Sequence, residues 1–227
     1  PASPPPEGTL IIWPGLTPLD TNSNPTYDPI DDGILRPVLT WGPSCLPGTQ
    51  PTPYSTWYIA GEYHNTIGTD PGFTGCQGGA IMSVNVGDQL LETLTLGGTT
   101  WTERITDENT LRSVTFVIDM EGQTQNLLYF YLDGYGQEPV GAVTFSNTQF
   151  TMASAFPNAA ACTPLTNGTF DPNDTSTAPT LSGDGLTCSI ATITIYSPTG
   201  PISSLRGKLG PHVVPAFLNP PIPSSHR

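Results

Sequence analysis

The sequence predicts an all-β domain, built as an antiparallel β-sandwich or jelly roll, and three observations support this fold class. Many short segments are rich in β-branched and aromatic residues and are bounded by Gly, Pro, Asn or Asp. Almost nothing reads as an amphipathic helix. Turn signals, such as Gly87-Asp88 and the pair Gly97-Gly98, separate neighbouring segments as expected for antiparallel strands.

Each predicted strand has the composition of a half-buried sheet, and the spacing between strands is regular. A chain of 227 residues is long enough for one such domain with a full core. In chain order, the predicted strands are residues 8–13, 34–41, 56–64, 80–84, 89–96, 99–107, 112–121, 126–133, 142–153 and 186–196.

The two ends of the chain differ from its middle. We expect the sandwich to span residues 34–196, with Pro-rich arms at 1–33 and 197–227. The C-terminal arm carries Arg206 and Lys208 and no acidic residue. It is therefore predicted to dock on the acidic body, either of its own chain or of a second copy in a homo-oligomer.

Charge limits the possible partners. The chain has 6 Lys and Arg against 19 Asp and Glu, a formal charge of −13, so nucleic acid and anionic membranes are not expected to bind. No apolar run approaches the ~20 residues that span a bilayer. With so few basic groups to form salt bridges, the folded state is expected to persist at about pH 4.

The four cysteines are even in number and too widely spaced for a CxxC metal site, which is typical of two disulfides in an oxidising compartment. Four cysteines allow three pairings. We favour Cys45 with Cys76 and Cys162 with Cys188, because each pair brackets a loop-rich insertion.

Secretion is the expected localisation. Asn167 and Asn173 begin N-glycosylation sequons in a loop rich in Gly, Pro and Asp. The first residue is Pro1 rather than Met, as expected if a leader had been removed. Together with the cysteines, these features predict an extracellular glycoprotein.

The strand around LYFYLD carries the clearest candidate binding surface. Side chains alternate along a strand, so Tyr129, Tyr131 and Asp133 share one face while Leu128 and its even-numbered neighbours form the core. Aromatic faces stack on sugar rings and on extended peptides. The residues predicted to line this ligand-binding groove are Thr40, Trp41, Trp57, Tyr58, Tyr129 and Tyr131.

A series of motifs in the middle of the chain resembles the glutamic peptidase (eqolisin) family of secreted fungal acid endopeptidases. In order, these are YSTWY at 54–58, NVGDQL at 85–90, Trp101 with RITDENT, LYFYLDGYG and VTFSNTQFT at 143–151. ILRPVLTWGPSC followed by a WY strand also looks like uncharacterised secreted fungal proteins with the same sandwich. The resemblance implies a concanavalin-like sandwich of two antiparallel sheets.

The family's peptidases use a Gln and a Glu on neighbouring strands, where the carboxylate activates water and the amide stabilises the oxyanion. Alignment places Thr40 at the Gln and Tyr129 at the Glu, and shifted alignments place Arg36 or Leu128 there. The resemblance therefore implies the fold without the catalytic pair. We expect a non-catalytic protein that binds a glycan or extended peptide or acts in assembly.

An active acid hydrolase, an endopeptidase or a glycosidase with a relocated carboxylate pair, is the alternative. The catalytic candidates for this alternative are Glu62, Glu121 and Asp133. Asp119 shares a face with Glu121 and could complete the acid pair of a glycosidase. No cofactor is expected.

Glu62 and His64 share a strand face, and Asp70 follows nearby, so these residues could supply half of the ligands of a metal site. Two further ligands would be needed, and the other histidines lie in the Pro-rich tail. A solvated strand end is therefore the expectation, and no metal is predicted.

Overall fold

The computed structural model describes residues 8–18, 33–65, 75–123, 125, 127–135, 141–162, 165–166 and 174–196. Within these residues the structure is almost entirely β, and the one helical segment is a short 3-10 turn, Ala159–Cys162. The all-β class is therefore confirmed.

In the described part of the chain, fourteen strands form three antiparallel sheets, and one further pairing, that of β11 with β9, is parallel. In chain order they are β1 Thr9–Thr17, β2 Ile34–Trp41, β3 Trp57–Asn65, β4 Gly75–Gly78, β5 Met82–Val84, β6 Leu90–Gly97, β7 Thr100–Asp107, β8 Ser113–Asp119, β9 Leu127–Tyr135, β10 Ala142–Thr151, β11 Leu165–Thr166, β12 Thr175–Ser176, β13 Thr180–Leu181 and β14 Thr187–Tyr196.

The largest sheet has seven strands. Six follow the order β11-β9-β1-β2-β3-β4, and the seventh, β5, pairs with residues 57–59 of β3, on the same edge where β4 pairs with residues 62–65. A meander, β6-β7-β8, packs over β2 and β3. A four-stranded sheet, β10-β14-β12 with β13 also on β14, packs over β9. The two smaller sheets form the second layer of the sandwich, so the predicted architecture is confirmed.

All ten predicted strands are present, and the strands that sequence analysis missed are β4 and the two-residue strands β11, β12 and β13. These are too short to show an alternating pattern. The predicted N-terminal arm, residues 1–33, contains β1, which lies between β9 and β2 in the centre of the large sheet. The boundary at residue 34 therefore does not separate the sandwich from an arm. The C-terminal arm, 197–227, lies outside the described residues.

Alternation gives the seven-stranded sheet two different faces. The inner face packs against the smaller sheets, and the outer face is turned away from them. The inner core contains buried aliphatic and aromatic side chains from all three sheets, among them Ile12, Trp57, Ile59, Ile105, Phe130, Leu132, Ile190 and Ile193.

Both predicted disulfide pairings are confirmed. Cys45 is bonded to Cys76, which links the loop after β2 to β4, and Cys162 is bonded to Cys188 on β14. Bonded cysteines in a two-layer β protein are typical of extracellular proteins.

Candidate functional site

The outer face is the candidate site, and strand register determines which side chains it carries. Arg36 on β2 is paired with Glu62 on β3, and Gly15 on β1 is paired with Tyr129 on β9. A Cβ at Gly15 would lie 3.1 Å from the Cβ of Arg36. Glycine at this point therefore leaves room for the large side chains on both sides.

Arg36 and Glu62 form a buried ion pair on this face. Arg36 Nη2 lies 2.6 Å and Nε lies 3.1 Å from the same oxygen, Glu62 Oε1. The two residues are only 4% and 1% exposed. Because a buried charge without a partner is strongly unfavourable, each residue depends on the other.

His64 extends this pair toward solvent. Its Nδ1 lies 3.1 Å from Arg36 Nη2. A guanidinium has only donors, so Nδ1 accepts this bond and the ring proton of the neutral imidazole lies on Nε2. His64 is 20% exposed and so forms the edge of the cluster.

Three aromatic rings pack beside the ion pair. Trp13 stacks on Tyr131 with ring centroids 5.2 Å apart, and Tyr129 lies 5.7 Å from both rings. The guanidinium carbon of Arg36 lies 4.7 Å from the centre of the Trp13 ring, in cation–π geometry. We call the set Trp13, Arg36, Glu62, His64, Tyr129 and Tyr131 the outer-face cluster.

The predicted groove is only partly assembled. Thr40, Tyr58, Tyr129 and Tyr131 lie on the outer face, but Trp41 and Trp57 lie on the inner face, where their rings pack 5.6 Å apart. The prediction that all six line one surface is therefore wrong, because adjacent residues of a strand point in opposite directions.

Burial restricts the remaining groove residues as well. Thr40, Tyr58 and Tyr129 are each at most 5% exposed, and the Tyr58 hydroxyl donates a hydrogen bond to Gly42 O at 2.8 Å. Burial raises the pKa of the Tyr58 phenol. Tyr131 is half-buried and is the ring of the aromatic stack through which a ligand could be contacted.

The predicted carboxylate candidates occupy different environments. Glu62 is held in the ion pair. Asp119 accepts the backbone N–H of Glu121 at 2.9 Å, which lowers the pKa of Asp119, and Glu121 sits in a turn at φ 50°. These two acids therefore form a turn rather than a catalytic pair. Asp133 belongs to β9, but its side chain lies outside the described residues, as do Asp70 and both sequons, Asn167 and Asn173.

Cys45 Sγ, a Glu62 oxygen and a His64 nitrogen lie within 4.8 Å of one another, which is compatible in distance with a shared ion. Cys45, however, is in a disulfide and supplies no thiolate, and Glu62 is engaged by Arg36. This donor set therefore does not fit a metal.

Sequence analysis missed a second pair of carboxyls, Glu92 on β6 and Glu103 on β7. Both point toward the inner face of the large sheet, since Glu92 pairs with Ile105 and Glu103 pairs with Phe116. Glu103 is 1% exposed. The signal in the sequence was the period of two, which places each acid among inward apolar residues of its own strand.

Glu103 has one bonded and one unbonded oxygen. Its Oε2 accepts the backbone N–H of Glu62 at 3.0 Å, and its buried Oε1 has no hydrogen-bond partner. Burial raises the pKa of Glu103 well above its usual range, and the nearby charges of Glu62 and Glu92 add to this effect. Burial also raises the pKa of the half-buried Glu92, to about 8.

Comparison of the chain with protein-family models, curated proteins and solved structures gave no match. Within the described residues, the structure has no helix with the length and apolar composition needed to cross a bilayer. The resemblance to glutamic peptidases therefore remains a sequence-based prediction.

Proposed function

We propose that this chain is a secreted, non-catalytic β-sandwich protein that binds a glycan through the outer-face cluster. The observation that carries the proposal is the Arg36–Glu62 ion pair. Among the described side chains of the outer face, Glu62 is the one carboxylate, and it is bound to a guanidinium. Both contacts from Arg36 go to Oε1 of Glu62, and Glu62 is 1% exposed, so this carboxylate is too enclosed to activate water against a substrate.

The resemblance supports the same proposal. Thr40 and Tyr129, the residues aligned with the peptidase Gln and Glu, are a hydroxyl and a phenol, and the shifted alignment offers Arg36. None of these groups is a base at acidic pH. In this proposal the face that holds the dyad in the peptidases has become a binding surface.

Tyr131 is the proposed contact with the ligand. Trp13 and Tyr129 hold its ring in a fixed orientation, and His64 adds a polar group at the edge of the cluster. A pre-oriented aromatic ring beside polar groups suits a sugar ring, whose apolar face stacks while its hydroxyls form hydrogen bonds.

A glycan array probed with the full chain tests this proposal. Wild-type protein should bind a defined class of glycans, and Tyr131→Ala should lose at least about fivefold in affinity, since stacking contacts of this kind contribute about 1 kcal/mol or more. Trp41→Ala is the matched control, because Trp41 is also half-buried but lies on the inner face. Binding that survives Tyr131→Ala, or binding only to a peptide library, would contradict it.

An acid hydrolase remains the second candidate, and Glu92 with Glu103 is the observation in its favour. Perturbed carboxyls often mark active sites. Glu103, however, is buried against β3, so a substrate could reach only Glu92. Incubation with denatured casein at acid pH should give no cleavage. Cleavage that is abolished in Glu92→Gln would establish the hydrolase instead.

A further inference from the structure

The strand β6, Leu90–Gly97, is an open sheet edge. Within the described residues β7 is the one strand that pairs with it. Its sequence, LLETLTLG, has no proline, no lysine and a single charged residue. Such an edge is a template for pairing with another strand, because its unpaired N–H and C=O groups are exposed.

The opposite edge of the same meander differs. A Cβ at Gly79 would lie 2.9 Å from the carbonyl oxygen of Thr115 on β8. The segment before β5 therefore already approaches the free edge of β8. Proteins commonly protect edge strands in this way, and β6 has no comparable cover in the described part of the chain.

Two leucines are exposed along β6. Leu91 is 50% and Leu96 is 52% exposed, although Leu96 pairs with Trp101 and points toward the inner side of the meander. An inward leucine remains half-exposed when no neighbouring strand covers it. The edge is therefore incomplete in packing as well as in hydrogen bonding.

We propose that β6 pairs antiparallel with β6 of a second copy, around a two-fold axis at Thr93. In this register Leu90 lies opposite the partner's Leu96, and Glu92 lies opposite the partner's Leu94. Paired residues then point to the same face in both copies, as a continuous six-stranded sheet requires. Leu90 and Leu96, the inward leucines at the two ends of β6, are therefore each covered by a leucine of the second copy.

Charge determines the conditions under which this dimer forms. Each copy carries a formal charge of −13 at neutral pH, which opposes association, and this repulsion is weakest near the sequence pI of 4.2. β6 itself carries one acid, Glu92, which in this register lies opposite Leu94 of the partner subunit and not opposite its own symmetry mate. A register centred on Glu92 would instead place the two acids against each other.

A single strand edge is smaller than the standard interface of about 1,600 Å², so we expect a weak dimer that depends on concentration. Sedimentation velocity of the full chain, near the sequence pI of 4.2, should show a monomer–dimer equilibrium in the micromolar range. Amide protection of residues 90–97 should rise with concentration.

Thr93→Lys should weaken the dimer at least about tenfold, because it places two lysines opposite each other at the axis. Thr115→Lys is the matched control, since it makes the same change at an exposed threonine on the other edge of the meander. Circular dichroism checks that both variants fold. A monomer at every concentration, a dimer that Thr93→Lys leaves unchanged, or an equal effect of Thr115→Lys would overturn the proposal. So would a dimer lost only on truncation after Tyr196, which would assign assembly to the C-terminal arm.

Discussion

Glu62 and Glu103 meet at one point of β3 from opposite sides of the sheet, yet they are accommodated in opposite ways. On the outer face, the Glu62 side chain is paired with the guanidinium of Arg36. On the inner face, the Glu103 side chain accepts a backbone N–H, and burial raises its pKa. Both are 1% exposed. The comparison shows that equally buried acids are accommodated by different partners, a cation in one case and a backbone amide in the other.

Of the substitutions that test this comparison, removal of Arg36 should have the largest effect on the free energy of unfolding. Arg36→Met leaves Glu62 as a buried charge without its cation, and we expect the free energy of unfolding to fall by about 3–5 kcal/mol. Urea denaturation at neutral pH measures the change. Arg104→Met is the control, because Arg104 is exposed on the outer side of β7. A loss below about 1 kcal/mol would show that the ion pair is not needed.

Glu103 should make stability depend on pH. Burial raises the pKa of Glu103 in the folded state, so the folded protein keeps a proton that the unfolded chain releases above the ordinary glutamate pKa of 4.5. Stability is therefore fully present below about pH 4.5 and falls as pH rises toward the folded pKa, by about 1.4 kcal/mol for each unit of difference.

Glu103→Gln keeps an acceptor for the Glu62 N–H and removes the titration. We expect its thermal stability to decline less with rising pH than that of the wild type, since the contribution of Glu103 is gone and the smaller contribution of Glu92 remains. Melting curves at a series of pH values test this. A melting temperature of the wild type that rises with pH over this range would contradict a raised pKa of Glu103.

The inner side of β3 also depends on close packing at Gly61. A Cβ there would lie 2.5 Å from Glu103 Oε2 and 2.6 Å from Phe116 Cβ. Gly61→Ala should therefore cost about 1–3 kcal/mol through overpacking. Gly97→Ala is the matched control, since nothing lies within 4 Å of a Cβ at that strand end. Equal effects of the two variants in chemical denaturation would argue against the close contact.

Glu92 gives the smallest effect because it is half-exposed. Its pKa of about 8 predicts a loss of stability between about pH 4.5 and 8 with the same sign as for Glu103. Since water screens a partly exposed group, we expect Glu92→Gln to recover no more than about 1 kcal/mol at the upper end of this range. Denaturation midpoints at the two pH limits provide the measurement. If Glu92→Gln regains more stability at the upper pH limit than Glu103→Gln does, the more exposed acid contributes more, contrary to this prediction.

The sequence predicted local features of this fold well. The strand around Tyr129 alternates as predicted, because its face pattern depends only on the period of two. Both disulfides were predicted from where loop-rich segments lie. β1 was assigned in part to an arm, because residues 1–33 are Pro-rich and poor in periodicity, although pairing with a strand on each side keeps β1 in the sheet.

The candidate site was harder to predict, because it depends on which strands are neighbours. Arg36 and Glu62 are far apart in the chain and meet only through the β2–β3 register. A signal was present, since each is a single charge within an otherwise apolar strand and the charges are opposite. Trp41 and Trp57 were placed in the groove by residue type, whereas alternation places them in the core.

The position of β1 also affects how the chain folds during synthesis. Thr9 pairs with Tyr135, so one edge of β1 has no partner until β9 has been synthesised. At about 5–20 residues per second, the delay is on the order of ten seconds. During that time the apolar segment Leu10–Trp13 has only β2 as a partner and exposes an unpaired edge to the quality-control machinery of the cell. Folding that must wait for such distant contacts is slow, and the yield of this protein should depend more on chaperones during synthesis than on the final stability of the sandwich.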